Sequence, residues 1–133
     1  MANQLLYGLQ GVREAGIVKL YGSFVTSTSG AVASSDCKGF TVAKTGTETG
    51  RYTVTLGQKY TKLRAASVMI EGSADTAYTT AKGVTAILRG VDVTTNGVLY
   101  IQFVDSDGSA ADAELEDGAK VYIELTLKNT SAY

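Results

Sequence analysis

The sequence predicts an all-β chain: a single-domain antiparallel β-sandwich or barrel of about seven strands with an N-terminal arm. Two observations carry that prediction. Short runs rich in Val, Thr, Ile and Tyr alternate apolar with polar residues, the period of two that a half-buried strand requires. Turn residues separate these runs at short intervals, and 15 glycines with no proline supply the turns. At 133 residues the chain fits one domain, large enough to bury a core of its own.

Residues 1–16 form the arm. Leu5, Leu9 and Val12 have helix-like spacing, but Gly8, Gly11 and Gly16 interrupt them too often for a stable helix, so one turn at most is expected. So short a segment has little of its own against which to bury Leu5, Leu6, Tyr7, Leu9 and Val12. These five are the candidate interface residues, docking on a partner ahead of docking on the chain's own domain. The β-domain covers residues 17–129, and residues 130–133 are a C-terminal tail.

Ile17–Thr26 reads as the first strand, with Val18, Leu20 and Phe24 on one face and Lys19, Tyr21 and Ser23 on the other. Residues 27–38 are small and polar and read as a loop. Residues 39–44 set Phe40 and Val42 against Thr41, and Arg51–Leu56 sets Tyr52, Val54 and Leu56 against Thr53 and Thr55. The Gly-containing stretch between them predicts a β-hairpin with a longer loop. Residues 57–63 turn toward a strand at 64–71, where Ala66, Val68 and Ile70 share a face. Residues 73–80 read as a loop or a short edge.

A strand over residues 84–93 returns as residues 98–104. Asn96-Gly97 between them predicts a two-residue type I′ turn, because both residues readily take positive φ. Residues 105–119 are acidic and small. The last strand, Lys120–Lys128, has the cleanest alternation: Val121, Ile123, Leu125 and Leu127 against Tyr122, Glu124, Thr126 and Lys128.

The composition points away from catalysis. With no His, neither a Ser-His-Asp nor a Cys-His arrangement can be assembled, and Cys37, the single cysteine, reads as an inert thiol. No disulfide can form within the chain, and no signal-peptide pattern opens it, so synthesis in a reducing cytoplasm is expected. Twelve basic against 13 acidic residues, with no basic block, give nucleic acid no phosphate-tracking stripe. No apolar run approaches a membrane span.

For metals, only oxygen ligands remain. Asp105, Asp107, Ser109 and Glu116 fall on a calcium-loop frame, but Ala110 stands where that loop needs glycine and the flanks read as strands. An acidic solvated loop is expected, with no metal and no cofactor. Glu71, Asp75 and Asp92 show no spacing that would pair two of them for acid and base work. Eight tyrosines against three phenylalanines suit a surface that meets partners, and Tyr7, Tyr21, Tyr78, Tyr100, Tyr122 and Tyr133 are the candidates.

Gly39-Phe40-Thr41-Val42-Ala43-Lys44-Thr45-Gly46, followed by Gly50-Arg51-Tyr52-Thr53-Val54-Thr55-Leu56 and Tyr60, resembles a hairpin of small virion proteins of tailed bacteriophages. The closing stretch from Asp112-Ala113 through Gly118 to Val121-Tyr122-Ile123-Glu124-Leu125-Thr126-Leu127-Lys128-Asn129-Thr130 is similar to the end of the same proteins. Their opening, a short arm leading to Lys19-Leu20-Tyr21-Gly22, is similar too. These proteins often carry a proline near the position of Tyr60-Thr61, which this chain lacks, so the turn there is expected to differ.

The resemblance implies a capsid decoration (cement) protein on the exterior of the virion head, made in the host cytoplasm. Its partners would be the major capsid protein and itself, as a homotrimer, with the arm reaching onto the capsid. A phage tail or baseplate component and a carbohydrate-binding surface module are the alternatives. The absence of Trp weighs against the second, because sugar faces stack on large aromatic rings.

Overall fold

In the computed structural model, described over residues 16–74, 84–105 and 113–129, eight strands form two antiparallel four-stranded sheets. In chain order they are β1 (Ile17–Thr26), β2 (Val32–Cys37), β3 (Phe40–Lys44), β4 (Arg51–Leu56), β5 (Lys62–Glu71), β6 (Val84–Asp92), β7 (Val98–Asp105) and β8 (Lys120–Lys128). Sheet A has the order β2-β1-β8-β5 and sheet B the order β3-β4-β7-β6. The architecture is a sandwich. The chain passes between the sheets four times, from β2 to β3, β4 to β5, β5 to β6 and β7 to β8.

The core follows from the alternation. Val121, Ile123, Leu125 and Leu127 of β8 are sealed, as are Tyr52 and Val54 of β4 and Leu99, Ile101 and Phe103 of β7. Each such side chain contributes about 1.5–3 kcal/mol by leaving water. Phe24, Tyr52 and Phe103 form an aromatic column through both sheets, with centroid separations of 5.1 Å and 5.6 Å and an edge-on second contact. The Tyr52 hydroxyl donates to the Gly30 carbonyl, so this buried polar tip is satisfied.

The strand count differs from expectation because β2 lies inside the predicted loop at residues 27–38. Its central residues are small and polar, and they pair with β1 from Gly22 opposite Cys37 to Thr26 opposite Val32. An edge strand exposed along most of its length needs little apolar signal, so nothing in its composition marks it. A 3₁₀ turn at Thr28–Gly30 precedes it, with Ser29 at φ 63°.

The Asn96-Gly97 turn also differs. β6 ends at Asp92, which pairs with Val98, so the connection is a five-residue loop over residues 93–97. Gly97 has φ 69°, but Asn96 does not take the positive φ that a type I′ turn requires. Asp92 explains the preference. It accepts from the Thr95 amide at 3.0 Å and from the Asn96 side chain at 2.7 Å, pinning a wider loop.

The β3–β4 hairpin forms as expected, from Phe40 opposite Leu56 to Lys44 opposite Tyr52. β5 begins at Lys62, earlier than expected, and bulges between Leu63 and Ala65. Within the segment expected to be a solvated acidic loop, Ala113, Leu115 and Ala119 are buried, so its described part packs on the sandwich.

Candidate functional site

Alternation that sends one set of side chains inward leaves another on the broad outer face of sheet A. Tyr21 of β1, Tyr122 of β8 and Met69 of β5 stand there, 55%, 41% and 66% exposed. Tyr122 lies directly opposite both Ser23 and Met69, and Tyr21 lies opposite Glu124, two residues along β8 from Tyr122. The three therefore adjoin across three neighbouring strands.

Polar groups hold this ridge in place. The Tyr122 hydroxyl donates to Glu71 Oε1 at 2.7 Å, and Lys120 Nζ sits 5.1 Å from the centre of the Tyr122 ring. Lys19 and Glu124 pair at 3.7 Å beside Tyr21. Shallow clefts of about 260 Å³ and 280 Å³ flank the two tyrosines, one toward Met69 and the other toward Asp36 and Lys38. The arrangement offers flat aromatic area with charges of both signs at its border, suited to a protein surface.

The outer face of sheet B carries a second feature. Arg51, Arg89 and Tyr100 line a cleft of about 310 Å³. Arg51 pairs with Glu48 at 3.2 Å, and Arg89 donates to the side-chain oxygen of the buried Gln102. Tyr100 is 43% exposed, with Ile87 on the same face.

The remaining polar candidates have structural duties. Cys37 is half-buried with its thiol directed at the Ser23 carbonyl, and burial raises its pKa above the ordinary thiol value. The Thr95 amide, aided by Asn96, holds Asp92 below the usual carboxylate range. Glu116 accepts from the Ser73 amide at 2.7 Å. Among the described residues no three His, Cys, Asp or Glu side chains gather to hold a metal ion. Asp107 and Ser109 of the calcium-loop frame, and Asp75, lie outside the described residues.

The five arm residues Leu5, Leu6, Tyr7, Leu9 and Val12 also lie outside them, as do Tyr7's companions Tyr78 and Tyr133. Of the candidate surface tyrosines, Tyr21, Tyr100 and Tyr122 are exposed, while Tyr52 and Tyr60 belong to the core. Met69 was not foreseen. Its signal lay in the alternation, since it falls between Val68 and Ile70 and so on the outward side of β5. Comparison of the chain with protein-family models, with curated proteins and with solved structures finds no match.

Proposed function

We propose that this chain is a bacteriophage capsid decoration protein, a homotrimer that binds the outside of the mature head and bridges major capsid protein subunits. The observation that carries the reading is the exposed ridge of Tyr21, Met69 and Tyr122 on the outer face of sheet A. It supports docking on a protein surface, and the resemblance of the strand and turn patterns to those of small tailed-phage virion proteins suggests the partner.

Physically, a shell that expands and thins leaves joints between capsomers that packaged DNA stresses. A rigid β-domain laid across a joint adds buried area, and about 800 Å² per partner is the usual size of a specific interface. Repetition over the shell adds avidity that no single contact has.

The test is the copy number of the chain in purified particles of its phage, measured by quantitative mass spectrometry against the major capsid protein. A ratio near one to one, or one trimer per capsomer junction, supports decoration. A few per cent moves the chain to the tail or baseplate, and absence from particles overturns both structural readings. The Tyr100 cleft with its two arginines favours the second reading, a carbohydrate-binding surface module. Saccharide binding that a Tyr100→Ala variant abolishes would establish it.

A further inference from the structure

A bulge in β6 shapes the outer face of sheet B around an aromatic ring. Leu88 pairs with Ile101 and Gly90 with Tyr100, so Arg89 is the extra residue between them. One edge of the Tyr100 ring lies against Gly90, where an added Cβ would stand 3.0 Å from Cδ2 and 3.8 Å from Cε2. Glycine at this position lets the ring lean across the neighbouring strand and cover its bare backbone. The ring is 43% exposed and forms one wall of the cleft of about 310 Å³ that Arg51 and Arg89 also line.

Both arginines are set by Gln102. Arg51 stands directly opposite it across the β4–β7 pair, and Arg89 donates to its side-chain oxygen from the β6 side. Gln102 is buried, so its carboxamide is a fixed post for the Arg89 guanidinium. That guanidinium carries five N–H donors in a rigid fork, and the bond to Gln102 uses one of them. Arg51 pairs with Glu48 at 3.2 Å, whereas among the described residues no carboxylate pairs with Arg89. Two guanidiniums against the one carboxylate of Glu48 leave the cleft lining with a net positive charge.

We propose that this cleft binds a saccharide ring that carries a carboxylate, with the ring laid on Tyr100 and the carboxylate held by Arg89. The inference rests on the carbohydrate-binding reading of the cleft given above and narrows its ligand. A flat aromatic wall suits the apolar face of a sugar ring, and a guanidinium fork fits the two oxygens of a carboxylate. Glu48, half-exposed on the rim, accepts hydrogen bonds, and the Thr45 hydroxyl, 2.8 Å from that of Thr53, also lines the cleft. Such groups serve ring hydroxyls, which a simple carboxylic acid lacks. The volume falls at the small end of the about 300–1,000 Å³ usual for ligand pockets, room for a small ring rather than a folded partner.

The experiment measures binding of the full chain to three immobilised glycans: oligogalacturonate, with a carboxylate on every ring, its methyl ester, and a sulfated oligosaccharide of equal charge. Oligogalacturonate should bind about tenfold more tightly than its ester, and Arg89→Gln should remove that margin. Equal binding of acid and ester, lost in Tyr100→Ala, keeps the saccharide reading and overturns the carboxylate. Equal binding of the sulfated glycan shows attraction by charge alone and overturns it too. No binding to any of the three overturns the inference, and no binding to a wider panel of neutral glycans overturns the saccharide reading as well. Should Arg89→Gln fail to fold, Arg89→Lys keeps the charge without the fork, and an undiminished margin in that variant overturns the proposal.

Discussion

Lys44 Nζ lies 2.7 Å from Glu114 Oε2, joining the end of β3 to a segment 70 residues later in the chain. The same carboxylate accepts from the Gly50 amide through Oε1 at 3.0 Å, and the same ammonium donates to the Ser29 carbonyl. Three loops at one end of the sandwich are thereby held by two side chains, with the Tyr52 hydroxyl on the Gly30 carbonyl beside them. The pair is 14% and 32% exposed, so solvent screens it only in part.

Removing Glu114 takes the counter-ion from a half-buried ammonium and the acceptor from the Gly50 amide. Glu114→Ala should destabilise the fold by about 2 kcal/mol, and Glu114→Gln by about half as much, because an amide oxygen still accepts from Gly50. Urea unfolding at neutral pH measures both; equal losses would show that the retained acceptor contributes nothing, and no loss in Glu114→Gln would show that the charge contributes nothing.

Two glycines in the β3–β4 loop separate backbone strain from crowding. Gly46 and Gly50 both have positive φ, 55° and 65°, but a Cβ on Gly46 meets nothing within 4 Å while one on Gly50 would come 2.1 Å from the Ala113 carbonyl oxygen. Gly46→Ala should cost about 1 kcal/mol for the left-handed backbone alone. Gly50→Ala adds a backbone clash and should cost about 3 kcal/mol or more. Thermal unfolding midpoints rank the two directly.

Tyr52→Phe keeps the aromatic column and removes only the hydroxyl that serves the Gly30 carbonyl. A loss of about 1–2 kcal/mol is expected, against about 3–5 kcal/mol for Phe103→Ala, which empties the column's end. Denaturant titration of both variants checks the ratio.

The depressed pKa of Asp92 fixes a sign for acid unfolding. A carboxylate held below its unfolded value near 3.8 contributes stability above that value and loses it as pH falls through the folded pKa. Unfolding midpoints of the wild-type chain should therefore exceed those of Asp92→Asn at about pH 6, with the gap closing below about pH 4. A gap that persists at about pH 2 would assign the difference to loop geometry.

Cys37 gives the opposite limb. Its raised pKa means the unfolded chain loses the thiol proton first, so the contribution is full below the ordinary value of 9.0 and is lost as pH rises through the folded value. In the native chain the thiol should react with an alkylating reagent at pH 8 about tenfold more slowly than in the urea-unfolded chain.

Much of the fold was legible in the residues. β8 and β4 were readable because each is central, with one face wholly in the core, so Val121 to Leu127 and Tyr52 to Leu56 print burial directly as alternation. β2 was not, since Ser34, Ser35 and Asp36 are held at an edge by β1's backbone groups, and backbone pairing leaves no mark on side-chain type. The turn after β6 was misread for a related reason. Asn96-Gly97 announces a tight turn, but Asp92, four residues before Asn96, supplies the bonds that widen it.

By itself the sequence determined an all-β chain, the inward and outward faces of its main strands, and the lack of imidazole chemistry, because each depends on local period or on composition alone. Only the tertiary structure decided that the strands divide into two sheets, that Glu114 serves Lys44, and that Tyr21, Met69 and Tyr122 adjoin. Those are pairings between residues far apart in the chain. They are set by which strand lies beside which, and strand order is a property of packing that no local pattern encodes.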